Sequence, residues 1–224
     1  MDILPFDEPT TWDADTLSVA PVGRAEVIAF LARWHYTKGG GANTFNVGLY
    51  HGLRLVGVAA FGYPISMDAA ASVFGPDDAE HVMDLGRFAL VDEAPHNTES
   101  WFLVRALQTL KTRRPHIWAV TAFADPTEGH QGTIYQATNA IYAGCGAGSR
   151  TQYLDARGVL HSDRCNGHRV GLDEARQRGW SPVRRAAKHR YLLLMPDNKT
   201  HRRMLQKRLR WTSQPYPGRE LVTA

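Results

Sequence analysis

The chain has 224 residues, 43% of them hydrophobic and 10% aromatic, enough for a sizeable core in one domain and too apolar for intrinsic disorder. Its 26 Lys and Arg face 22 Asp and Glu, but the signs are segregated: residues 1–100 hold 5 basic and 14 acidic side chains and residues 101–224 hold 21 and 8, which points to a polyanionic partner for the C-terminal half. Two cysteines exclude a disulfide framework, the acidic start at residues 1–10 does not read as a signal peptide, and no apolar run nears the roughly 18 residues that span a bilayer, so a cytoplasmic protein with no membrane partner is expected.

After Pro21, residues 24–36 space Val27, Ile28, Leu31, Trp34 and His35 as an amphipathic helix that stops before Gly39-Gly40-Gly41. Residues 46–50 and 55–61 read as two strands joined by the turn His51-Gly52. The acid-rich stretch 67–80 is a loop or a short helix, and residues 85–91 are a third strand. A loop over 92–97 leads to an apolar helix over 98–111 with Thr98 as its N-cap. Residues 117–124 form a buried strand ended by Asp125-Pro126, followed by a Gly-rich loop and a helix over 133–143 stopped by Gly144. Residues 153–159 and 190–195 complete the strands. The expected architecture is one α/β domain over 21–195, with an N-terminal tail at 1–20 and a basic tail at 196–224.

Five groupings carry chemical potential. Gly86-Arg87-Phe88 with Asn97-Thr98-Glu99-Ser100 places a strand before a helix N-terminus, whose unpaired N–H groups can cradle a pyrophosphate; Arg87 would add a charge-assisted bond and Ser100 a hydroxyl. The alternative is an ordinary capped helix packed on the sheet. Asp125-Pro126 through Gly129-His130, Gly132 and Tyr135-Gln136-Ala137-Thr138-Asn139 gathers acid, imidazole and phenol at a strand's C-terminal end, where α/β sites collect. Tyr135 is there either a general acid or a core tyrosine, and Asp125 either a reactive group or a cap. Trp34-His35-Tyr36 precedes three glycines; His35 has a chemical role if it meets Asp125 and is structural otherwise.

From Arg176 to Arg210 there are 12 Lys or Arg against the single acid Asp197. Arg184, Arg185, Lys188, Arg202, Arg203, Lys207, Arg208 and Arg210 are candidates to contact the phosphates of DNA or RNA, with Trp211 stacking on a base or sugar, unless this is a solvated basic face. Lastly, His161-x3-Cys165-x2-His168 with Cys145 is a loose zinc pattern without a Cys-x-x-Cys pair.

These residues resemble the phage Mom family of DNA adenine-modifying proteins, a divergent branch of the GNAT acyltransferases. The likeness rests on Trp34-His35-Tyr36, Gly86-Arg87-Phe88, Asn97-Thr98-Glu99-Ser100-Trp101, the block from Asp125 to Asn139, Lys188-His189-Arg190-Tyr191 and Pro215-Tyr216-Pro217. It implies a GNAT-like mixed, mostly antiparallel central sheet flanked by helices, with acetyl-CoA or a related acyl donor between the third and fourth core strands. It also implies that N6 of adenine in double-stranded DNA becomes a carbamoylmethyl derivative, protecting phage DNA from host restriction. Arg87, Ser100 and Tyr135 would then belong to the acyl-CoA side, with Asn97 and Thr98 in the same turn, and His35, Tyr36 and Asp125 to the reactive centre. The chain departs from the usual GNAT pyrophosphate loop, since Asp92-Glu93-Ala94-Pro95-His96-Asn97 lacks its glycines and adds two acids.

Simple acyl transfer to an exocyclic amine gives an acylamide, not a carbamoylmethyl group. Hence either a second donor acts, or a transition metal such as iron takes part, with His35, Asp125 and His130 as its ligands. The target base must leave the duplex, and Trp101, Tyr36 and Phe123 are candidates for the wall it meets. The rival readings are an ordinary GNAT N-acetyltransferase acting on a small amine or RNA, and an inactive acyltransferase-like DNA-binding module.

Overall fold

A computed structural model describes Trp12 and residues 16–36, 39–146, 150–161, 163–165 and 168–218; the side chains of Arg150, Arg164 and Cys165 fall outside that description. In chain order the strands are β1 (Leu17–Pro21), β2 (Phe45–His51), β3 (Arg54–Gly62), β4 (Val82–Leu90), β5 (Ala119–Ala124), β6 (Ile141–Cys145), β7 (Arg150–Leu154), β8 (Leu160–His161), β9 (Arg164–Cys165), β10 (His168–Arg169), β11 (Ser181–Arg185) and β12 (His189–Leu194). The helices are α1 (Arg24–Trp34), α2 (Met67–Phe74), α3 (Thr98–Arg113), α4 (Thr133–Ala137), α5 (Leu172–Gln177) and α6 (Lys199–Arg208).

Seven strands form the main sheet in the order β1-β2-β3-β4-β5-β12-β6. Every neighbouring pair is antiparallel except β4 and β5, which run parallel. The sheet is thus mixed, mostly antiparallel and flanked by helices, as expected. β1 lies within the stretch read as an N-terminal tail and pairs with β2 from Leu17↔His51 to Pro21↔Val47. It escapes a sequence reading because it is a short edge strand ending in proline.

α1 packs on β3 and β4, and α3 on β1 to β3, around a core that includes Leu31, Val58, Phe61, Met83, Phe102 and Tyr191. A second cluster joins α2 to α6: Val73 and Phe74 pack with Leu205, Ala119 and Leu192. Within the basic tail, expected to pack on or extend the domain, residues 199–208 are helical and dock on it. Between β6 and β12 the chain builds a smaller sheet, β11-β7-β8, whose Tyr153 packs with Val170, Ala175 and Trp180.

Several expected boundaries shift. The strand expected over 153–159 is β7 (Arg150–Leu154), and the chain turns just after it because the Asp155 carboxylate accepts from the Arg157 and Val159 N–H groups. α1 ends two residues early because His35 is extended (φ −116°, ψ 135°), which turns His35 and Tyr36 off the helix axis. Thr98 is the first helical residue and not the cap; Asn97, in the left-handed region at φ 70°, holds that position. The helix expected over 133–143 breaks at Asn139 (φ 56°), and residues 141–145 become β6, because an open edge of β12 is there to pair with.

Candidate active site

The geometry of the site begins where β4 and β5 part. Their pairing runs through Val82↔Ala119, Met83↔Val120 and Asp84↔Thr121 and then stops, so the strands diverge into a V. In β4 the register against β3 slips at Gly86, between the Ala60↔Arg87 and Phe61↔Leu85 pairs, a bulge that bends the strand away. A cleft of about 1130 Å³ fills the opening. His35, Tyr36, Arg87, Asp125, His130 and Tyr135 all line it, so the imidazole that follows the first helix and the acid that closes β5 do face one cavity.

Asp125 is 4% exposed and caps the 3-10 turn Pro126–Glu128, accepting from the Thr127 N–H at 3.1 Å. Its other oxygen accepts from Arg185 Nη2 at 3.3 Å and lies 3.4 Å from Lys188 Nζ, and Arg185 also bonds Glu128. Burial pushes the Asp125 pKa up, but Lys188, the Thr127 N–H and Arg185 outweigh it and hold the carboxyl below its ordinary value. This overturns the reading of Arg185 as a DNA contact: the residue is 8% exposed and spent on two carboxylates. Lys188 likewise faces the cleft rather than a surface strip.

The Tyr36 ring stacks on His35 at 4.5 Å and leans toward His130 at 5.7 Å. Burial, then the nearby Arg87, lowers the His35 pKa to about 4, so the imidazole is neutral at pH 7. Burial and the Asp125 carboxylate raise the Tyr36 phenol. Tyr135 reaches the cleft from α4, whose start depends on Gly132 at φ 74°; a Cβ there would sit 2.4 Å from the Tyr191 ring. Burial raises the Tyr135 pKa far above that of a free phenol, keeping its proton in place.

The residues expected around a pyrophosphate are not brought together in the same way. Arg87 Nε donates to Gly39 O at 3.0 Å and Nη1 to Gly86 O at 2.6 Å, which ties its guanidinium to the loop beneath His35. Ser100 donates its hydroxyl back to Asn97 O at 3.0 Å, Thr98 is buried in the first turn, and Glu99 is the residue of that turn that lines the cleft. Trp101 does not line it.

Metal ligation does not fit. Among the described residues no three His, Cys, Asp or Glu side chains converge, Tyr36 stands between His35 and His130, and the cations on Asp125 occupy the place a metal would take. The zinc pattern is dispersed as well: His161 pairs with Asp155 at 3.0 Å, His168 with Glu174 at 3.1 Å, and Cys145 lies beside His189 on the main sheet, while the Cys165 side chain is outside the described residues.

Of the remaining basic residues, Arg184 is exposed on β11, and Arg202, Arg203 and Lys207 are exposed on α6. Arg208 is committed to Asp78, both of whose carboxylate oxygens lie 2.9 Å from Nη1, and the Arg210 guanidinium packs over Gly75. Among the described residues, no helix is long and apolar enough to cross a membrane. Asp84 and Thr121, at the vertex of the V, were not singled out from sequence; the available signal was an acid inside the apolar strand Val82-Met83-Asp84-Leu85.

The model of the Mom protein family matches residues 16–218. A relative, "Methylcarbamoylase mom" of Escherichia phage Mu, is 29% identical over 192 residues, covering 82% of this chain and 76% of its own. Among solved structures, the chain is similar to yncA, a putative acetyltransferase from Salmonella typhimurium with its cofactor acetyl-CoA, at 10% identity and a TM-score of 0.47, over 83% of this chain and 98% of that one. It is also similar to an acetyltransferase of the GNAT family from Streptococcus pneumoniae, at 12% identity and a TM-score of 0.47, over 80% of this chain and 99% of that one.

Proposed function

The chain belongs to the Mom protein family, and we propose that it is a DNA-modifying transferase that converts N6 of adenine in double-stranded DNA to a carbamoylmethyl derivative and thereby protects phage DNA from host restriction. The observation that carries this reading is the convergence of Asp125, Tyr36, His35 and Tyr135 on the gap between two diverging parallel strands.

The gap suits an extended thioester arm: the β4 edge beyond Asp84 has no β5 partner to satisfy it, and Leu85, Phe88 and Ala124 give it apolar walls. An acyl-CoA or related donor held there would supply the two-carbon unit only; because direct acyl transfer gives an acylamide, a second donor must supply the amide nitrogen. Tyr135 keeps its proton and offers a hydrogen-bond donor to whatever occupies the cleft. His35, neutral at pH 7, accepts or donates a hydrogen bond without adding charge. Arg185, held between Asp125 and Glu128, fixes the Asp125 carboxylate, and Lys188 is the cation of this group that lines the cleft. The acids Asp92, Glu93 and Glu99 near the start of α3 oppose a pyrophosphate at that helix end, so the grip on a CoA must come from the strand edge and Arg87.

Nucleosides from DNA of cells expressing the chain test this by mass spectrometry. Deoxyadenosine carrying a carbamoylmethyl group is expected with the wild type and not with Asp125→Ala. An unmodified digest from well-expressed wild type overturns the reading in favour of an N-acetyltransferase of other substrates or an inactive DNA-binding module.

A further inference from the structure

The Asp84–Thr121 pair closes the vertex of the V, and both side chains line the cleft. Thr121 is 3% exposed and donates its hydroxyl to Asp84 Oδ1. Asp84 is half-buried, and no ion pair among the described residues includes it. A carboxyl so placed is partly withdrawn from water and has no counter-charge among the described residues, and burial raises its pKa, with the Thr121 hydroxyl alone pulling the other way. Asp125, in the same cavity, is in the opposite condition. Two carboxyls driven apart in proton affinity within one site serve different tasks.

The Asp84 carboxyl turns acceptor oxygens toward the cleft beside the one that Thr121 holds. Next to this pair the cleft offers a flat surface. Phe123 lies two residues beyond Thr121 on the same face of β5 and is 40% exposed. Opposite it in register stands Arg190, whose guanidinium lies 5.0 Å from the Trp211 ring, and Trp211 is steadied by an N–H bond to Ser72 Oγ at 3.1 Å. An acid at the vertex and an aromatic wall beside it match the two demands of an extruded base, hydrogen bonds to its edge and contact with its face.

We propose that Asp84, oriented by Thr121, reads the exocyclic amino group of an extruded base: its carboxyl accepts from the amino N–H, while the base lies against Phe123. Adenine and cytosine carry that amino group on their pairing edge, where guanine and thymine carry a carbonyl oxygen. Asp84 is thus a positioning and specificity-determining residue, and the inference rests on the DNA-modifying reading above.

The test is binding of the full chain to duplexes carrying one mismatched adenine, or purine without the amino group at the same place. Wild type is expected to favour adenine by roughly 5- to 100-fold, the range of one hydrogen bond to a carboxyl group. Asp84→Leu abolishes the preference, and Asp84→Asn retains it, because the amide oxygen still accepts from the amino N–H. Thr121→Val, which changes no charge, weakens the preference and serves if the leucine variant does not fold. Preference intact in Asp84→Leu or Thr121→Val, or none in the wild type, overturns the proposal. Nucleoside mass spectrometry on the same proteins separates the two claims. Modified adenine with an intact preference in Asp84→Leu removes the role of Asp84 alone; DNA left unmodified by the wild type removes the functional reading and this inference with it.

Discussion

His35 and its stacking partner Tyr36 follow α1 where the backbone turns extended, both rings line the cleft, and burial there costs His35 its proton. Burial and then Arg87 bring its pKa from 6.5 to about 4. Protonation therefore favours the unfolded chain: the stability linked to this residue is complete above pH 6.5 and is lost as the pH falls from there through about 4. Urea midpoints measured at pH 7.5 and 5.0 are expected to fall further for the wild type than for His35→Gln, and an equal fall in both would show that the imidazole is solvated. Such behaviour is not legible in sequence, where His35 is one aromatic among several. The pairing of Asp125 with Arg185 and Lys188 is equally hidden, because the partners lie about sixty residues apart and their charge reads as part of a basic strip. What the sequence does announce is the Asp125-to-Tyr135 block, since acid, glycines and phenol crowd the end of an apolar strand.

At the scale of elements, β2, β3, β4 and β5 follow from alternating or continuous apolar runs bounded by turn residues, and α1 and α3 from their helical spacing. β6 does not, because Ile141-Tyr142-Ala143 suits a helix or a strand equally and its state is settled by the free edge of β12. α6 is obscured in another way: its six Lys, Arg and His in ten residues conceal a single buried stripe. Leu205 is fully buried among Val73, Phe74, Ala119 and Leu192, and with Arg208 on Asp78 it fastens the C-terminal helix to α2 and the sheet. Leu205→Ala is expected to lower unfolding free energy by about 2–5 kcal/mol in urea titrations. A loss below half a kcal/mol would mean that α6 is docked by its ion pairs rather than by this side chain.

For the whole molecule, the segregation of charge has a smaller reach than the residue totals suggest. Arg185 and Lys188 are turned inward to Asp125 and Arg208 is held by Asp78, so much of the basic excess serves the fold and the cleft. The cations left exposed on α6 include Arg202, Arg203 and Lys207, on the helix whose C-terminal end leads to Trp211 at the cleft wall. A duplex lying along α6 would therefore meet phosphate-binding side chains next to the opening that must receive its base. Each phosphate neutralised contributes about 0.9 to the slope of log K against log salt. Replacing these three residues with alanine should reduce the magnitude of that slope by about 3. The loss of affinity should be the same for all sequences, while the preference of adenine over purine set at the vertex of the V survives. Titrations between 50 and 300 mM salt measure both quantities, and an unchanged slope would place the DNA on another face and separate the basic helix from the reaction.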